Sequence, residues 1–136
     1  MSTADVCAVI LWIGVTLYAI FGGADFGAGI WDLLAGSDER AERVREQIDR
    51  SIGAVWEANH VWLIFVLVVL WTAFSTAFSA IFSTLYIPLA LAALGIVLRG
   101  SGFAFRHALP GPIQRPASRV FGAASVLTPF FMGTVV

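Results

Sequence analysis

Charge is scarce in this sequence. Asp, Glu, Lys and Arg make up 12% of its 136 residues, while 59% are hydrophobic. A soluble domain carries about twice that share of charge. So little polar surface cannot coat a particle in water, so most of the chain must face an apolar solvent. Lysine is absent, and all eight basic residues are Arg. The net charge of −1 gives no basic excess to draw a nucleic acid or another polyanion. A single cysteine, Cys7, excludes an intrachain disulfide and any multi-cysteine metal or iron–sulfur site. There is no Gly-rich phosphate loop and no Ser/His/Asp set. No basic residue precedes the first apolar stretch, and that stretch is too long for a signal peptide, so it reads as a retained helix.

What the chain does have is long apolar segments. Crossing a bilayer takes about 20 apolar residues. The first candidate span covers 6–34, interrupted by a glycine cluster around Asp25. The others cover 52–74, 78–98 and 120–136. The expected architecture is therefore all-α: one polytopic transmembrane helix bundle over residues 1–136, with about four spans. Between the first two spans, 37–50 is densely charged, and Ser37 is a candidate cap for a short amphipathic helix. The second and third are joined by a neutral turn near Ser75–Thr76. The third and fourth are joined by 99–119, whose Pro110, Gly111, Pro112 and Pro116 predict a loop. Pro88 is expected to kink the third span. The last segment offers only 17 residues and ends apolar, which predicts that the chain is a fragment or that the rest of the assembly is another polypeptide.

Every Arg falls in 37–50 or 99–119, and these lie on one side if the spans alternate. The other side carries only Asp5 and a neutral turn. By the positive-inside rule the Arg-rich side is cytoplasmic and the N-terminus is outside.

Ionisable groups within apolar spans cost about 2.5–3.5 kcal/mol to insert, so each is a functional candidate. Asp25 sits in Gly22-Gly23-Ala24-Asp25-Phe26-Gly27-Ala28-Gly29, where small residues let helix backbones approach closely. It is either a headgroup-level anchor or a buried carboxylate that relays protons or meets a partner. Asp32 is expected at the interface. In Trp56-Glu57-Ala58-Asn59-His60-Val61-Trp62, Glu57 and His60 share a helix face. They form either a buried polar cluster for proton movement or subunit contact, or a polar cap with the Trp residues as belt anchors. The Glu-x-x-His spacing also occurs in four-helix di-iron sites. The second Glu-x-x-His and the further Glu residues that such a site needs are missing, so no metal site is expected. Arg99 is expected to pair with Asp25 or Glu57, or else to snorkel to the headgroups. His60 and His107 are the only nitrogen candidates for haem, and Glu57 would compete for the first.

As a set these motifs resemble subunit II of cytochrome bd-type quinol oxidases. Tyr18 to Gly29 is similar to the family's first helix, and Val55-Trp56-Glu57-Ala58-Asn59-His60-Val61-Trp62-Leu63 to the start of its second. Many members have Trp-Asp-Gly-Asn there, and Trp-Glu-Ala-Asn-His looks more like the cyanide-insensitive branch. Leu98-Arg99-Gly100 with Phe103-Ala104-Phe105-Arg106 resembles the end of the third helix. Ser75 stands where a proline would be expected.

The resemblance implies a bacterial cytoplasmic-membrane respiratory enzyme in which quinol is oxidised and oxygen reduced to water. This chain would be the first half of an eight-span, non-haem subunit. It would form a heterodimer with a haem-bearing subunit I that carries haems b and d. No catalytic, cofactor or metal residue is then expected here. Asp25, Glu57, His60 and Arg99 become proton-path or interface candidates, supported by Trp56, Asn59, Trp62 and Arg106. The competing reading is a small transporter or channel half that uses the intramembrane carboxylates.

Overall fold

The computed structural model describes residues 1–108 and 114–135, and among them there are helices and no strand. In chain order they are α1 (Thr3–Leu34), α2 (Glu39–Ile52), α3 (Trp56–Ala73), α4 (Ser75–Thr84), α5 (Tyr86–Ala108) and α6 (Gln114–Gly133). α1, α3 and α5 are each long and apolar enough to cross a membrane. α6 opens with Arg115 and Arg119 and turns apolar from Val120 onward. The chain is a multi-pass membrane helical bundle.

α1 packs against α3 on one side and α6 on the other, and α5 lies along α6. α1 is continuous through its glycine cluster, and its 32 residues span about 48 Å at 1.5 Å per residue. Its start is a capping box, with Asp5 N–H donating to Ser2 Oγ at 3.2 Å and Ser2 N–H to Asp5 Oδ2 at 2.7 Å. It ends at Ala35, followed by Gly36 at φ +85°, a left-handed turn that glycine adopts without strain. The cap of α2 is Asp38, not Ser37. Its carboxylate accepts from Ala41 N–H at 2.8 Å. The inner face of α2 presents Ala41, Val44, Ile48 and Ile52 to the bundle, and its outer face is charged.

Several boundaries differ from the sequence reading. The second and third apolar segments meet at one irregular residue, Phe74, and a second break falls at Leu85. Pro88 therefore lies in the first turn of α5, where its missing N–H costs nothing, and it does not kink a span. The segment read as a loop from 99 is helical to Ala108. Gly102 explains why: a Cβ there would meet Phe121 N at 2.8 Å and Ala117 O at 2.9 Å. Glycine is needed for close approach to the α6 backbone, not for a turn. Pro116 likewise sits in the first turn of α6. Pro110, Gly111 and Pro112 lie outside the described residues.

The tightest packing joins α1, α5 and α6. Gly29 faces Ser125, Gly95 faces Thr128, and Gly122 faces Leu33. Small residues let the backbones meet where lipid supplies no hydrophobic force to press helices together. An apolar core of Ile52, Phe103 and Phe121 seals the end of the bundle where α2 sits, flanked by Ala28, Ile48 and Trp56.

Candidate functional site

Two polar clusters are buried inside this apolar bundle. The first surrounds Asp25 on α1, which is 0% exposed. Asn59 on α3 donates from Nδ2 to Asp25 Oδ1 at 3.0 Å. His60, one residue on, places Nδ1 3.7 Å from Asp25 Oδ2. The same Nδ1 lies 3.0 Å from the Trp56 carbonyl. A carbonyl only accepts, so a hydrogen bond there puts the neutral ring's proton on Nδ1 and leaves Nε2 as the base. Tyr18 and Phe26 stand edge-on to the imidazole at 6.1 and 6.2 Å. Arg99, 1% exposed, enters from α5. Its Nη2 donates to the main-chain carbonyl of Asp25 at 3.0 Å, and its guanidinium lies over the rings of Phe26 and Phe121 at 5.4 and 5.3 Å. Asp25 Oδ2 and Arg99 Nε have no hydrogen-bond partner among the described residues.

The second cluster lies two helical turns away. Asp32 follows Asp25 by seven residues, and Arg106 follows Arg99 by seven, so each pair shares a face. Arg106 Nη1 pairs with Asp32 Oδ2 at 2.6 Å, and its Nη2 pairs with Asp49 of α2. Arg45 of α2 holds the other Asp32 oxygen, Nε to Oδ1, at 2.8 Å. His107 joins Asp49, Nε2 to Oδ2, at 3.0 Å. This network clasps α2 to the ends of α1 and α5.

The sequence candidates separate accordingly. Asp25, Asn59, His60 and Arg99 come together. Glu57 does not: it is exposed and has no hydrogen bond or ion pair among the described residues. The expected pairing of Arg99 with the Asp25 or Glu57 carboxylate is replaced by its bond to the Asp25 carbonyl. Trp56 packs on Phe103 at 5.7 Å, and Trp62 stands edge-on to Phe65 at 6.0 Å. Arg106 belongs to the second cluster. Asp32, expected at the interface, is buried because two arginines neutralise it there. Arg45, Asp49 and Tyr18 were not singled out as site residues, and His107 was named only as a nitrogen candidate for haem. The seven-residue spacing was the available signal for Asp32 and Arg106.

Chemically, the first cluster holds one buried carboxylate whose second oxygen is free. It also holds a fixed cation and an imidazole, whose two ring nitrogens can each give or take a proton. That set can hold and pass a proton. Among the described residues, no three His, Cys, Asp or Glu side chains converge as a metal site would require.

Comparison with known proteins gives a consistent answer. The sequence model of the family described as cytochrome bd terminal oxidase subunit II matches residues 3–136. A Bacillus subtilis (strain 168) protein named cytochrome bd ubiquinol oxidase subunit 2 is 31% identical over 101 residues, covering 74% of this chain and 28% of that protein. A second protein of the same organism, provisionally named cytochrome bd menaquinol oxidase subunit II, is 30% identical over 104 residues, covering 76% of this chain and 30% of its own length. The chain thus aligns with under a third of either relative.

Proposed function

The chain belongs to the cytochrome bd terminal oxidase subunit II family, and we propose that it forms part of the non-haem membrane subunit of a quinol-oxidising, oxygen-reducing respiratory enzyme. In this reading a partner subunit carries haems b and d and the quinol site. This chain supports the partner and contributes a proton route. The observation that carries the proposal is Asp25: a fully buried carboxylate, one of whose oxygens has no partner among the described residues, amid Asn59, His60 and Arg99. Such a group is costly inside an apolar bundle, and proton relays are one of the uses that offset that cost.

The residues here do not suit a haem of their own. His107 has both ring nitrogens engaged, by the Phe103 carbonyl and by Asp49. His60 stands edge-on to Tyr18 and Phe26, with Nδ1 beside the Trp56 carbonyl and Asp25.

The charge distribution supports an N-terminus outside and an arginine-rich cytoplasmic end. Arg45, Arg106, Arg115 and Arg119 line one cleft at the end where α2 sits. The Asp25 cluster then lies about 10 Å deeper, seven residues at 1.5 Å each. Protons for oxygen reduction would approach it from that end. Glu57, exposed at the start of α3, is better placed as a contact to the partner subunit.

Asp25→Asn in the full-length subunit, expressed with its haem-bearing partner, tests this reading. Haem content should stay near wild type while quinol-driven oxygen uptake falls at least tenfold. Undiminished uptake would remove the cluster from the proton route.

A further inference from the structure

We propose that His60 is the side chain through which Asp25 exchanges protons with its surroundings. The inference rests on the reading of Asp25 as a proton-carrying acid. It adds the identity of its donor.

The argument is one of access. The Asp25 side chain is 1% exposed, so a proton must reach it through a neighbour. Asn59 holds Oδ1 but has no titratable proton, and the Arg99 guanidinium stays protonated at any working pH. Tyr18 directs its hydroxyl to Met132 Sδ at 3.7 Å. Glu57 makes no contact with Asp25 and faces away from the bundle. His60 alone combines three properties. Its ring nitrogens can take up and release a proton, its side chain is 16% exposed, and its Nδ1 lies 3.7 Å from the one Asp25 oxygen without a partner among the described residues.

The step balances as follows. Neutral His60 carries its proton on Nδ1, shared with the Trp56 carbonyl, and takes a proton from outside at Nε2 to become imidazolium. A small pivot brings Nδ1–H from the carbonyl to Asp25 Oδ2. The Nδ1–H bond breaks, an O–H bond forms, and the ring is left neutral with its proton on Nε2. No electron moves. The ionisable and charged groups around the imidazole are Asp25 and Tyr18 from α1, Arg99 from α5 behind Asp25, and Glu57 one turn earlier on α3. Asp25 is the acid that faces the imidazole, and Arg99 lies on its far side. The transient charge therefore stays within a triad that already contains its counter-ion.

The test uses the complete oxidase. Oxygen uptake is followed against pH for wild type, His60→Gln and Asp25→Asn, with haem content as the assembly control. His60→Gln should slow uptake at least fivefold and alter the pH profile, and added imidazole should restore part of the rate. A wild-type rate and pH profile in His60→Gln beside a slow Asp25→Asn would overturn the inference and leave the Asp25 reading intact. Wild-type behaviour in both variants would sink both. A second measurement needs no His60 variant. In the infrared pH titration of the wild-type complex, the Asp25 carboxyl band, assigned by its loss in Asp25→Asn, should change together with a histidine ring band. Independent titration of the two would contradict the exchange.

Discussion

Arg99 donates to the main-chain carbonyl of Asp25 at 3.0 Å and leaves the carboxylate to Asn59 and His60. The cation is thus close enough to offset the acid's charge without capping the oxygen that would take a proton. This geometry differs from that of a buried salt bridge such as Asp32–Arg106, where both acid oxygens are occupied.

Arg99→Lys should not be a conservative change. A planar guanidinium fits between Phe26 and Phe121 while donating to a carbonyl, and an ammonium provides neither the flat surface nor the fork. The variant should reduce the yield of assembled complex severalfold, read as haem per milligram of membrane protein. A yield equal to wild type would show that the stacked geometry is dispensable.

Asp32→Asn should be among the most destabilising single changes at the α2 end. It leaves Arg106 and Arg45 without the acid they share, and breaking a buried pair costs about 3–5 kcal/mol. The control is Glu46→Ala, which removes a pair whose side chains are 73% and 63% exposed. Surface pairs contribute about 0–1 kcal/mol. Thermal unfolding of the detergent-solubilised protein should therefore separate the two clearly. Equal midpoints would contradict the clasp.

Gly102→Ala places a methyl against α6 backbone atoms at 2.8 and 2.9 Å, which cannot rotate aside. Overpacking of this kind costs about 1–3 kcal/mol, and the thermal midpoint should fall. Gly23→Ala meets nothing within 4 Å and gains about 0.5–1 kcal/mol of helix propensity, so its midpoint should hold or rise. A tolerated Gly102→Ala would mean that α5 and α6 do not pack as described.

Glu57→Ala should weaken association with the proposed partner subunit, because the proposed reading makes exposed Glu57 a contact to it. Its recovery in a mild-detergent pull-down should fall severalfold, and the turnover per haem of what assembles should keep its pH profile. Full recovery with a lost ionisation would instead return Glu57 to the proton route.

Much of the fold could be read in the sequence because apolar length and scarce charge are additive properties. The helices, the amphipathic α2 and the gathering of arginines at one end all follow from counting. Pairwise geometry could not be read this way. Asp32 sits two residues before the end of α1, and by position alone it looked interfacial. Its burial depends on Arg45 and Arg106 arriving from two other helices. The segment from 99 read as a loop because of its prolines and Gly111, and a glycine that admits a neighbouring backbone, as Gly102 does, gives no separate signal in sequence. Glu57 and His60 do lie near each other along α3, but one faces outward and the other faces α1, and the rotation of α3 that decides this is set by Asn59 reaching Asp25. The motifs named the right neighbourhood, and the tertiary contacts chose among its members.

The most direct measurement is a reduced-minus-oxidised optical spectrum of the tagged full-length subunit purified in mild detergent from its native membrane. The account predicts bands of haems b and d, co-eluting with a larger partner subunit and lost when that partner is removed. A colourless preparation of intact subunit would contradict it and would point to transport through the same buried carboxylate.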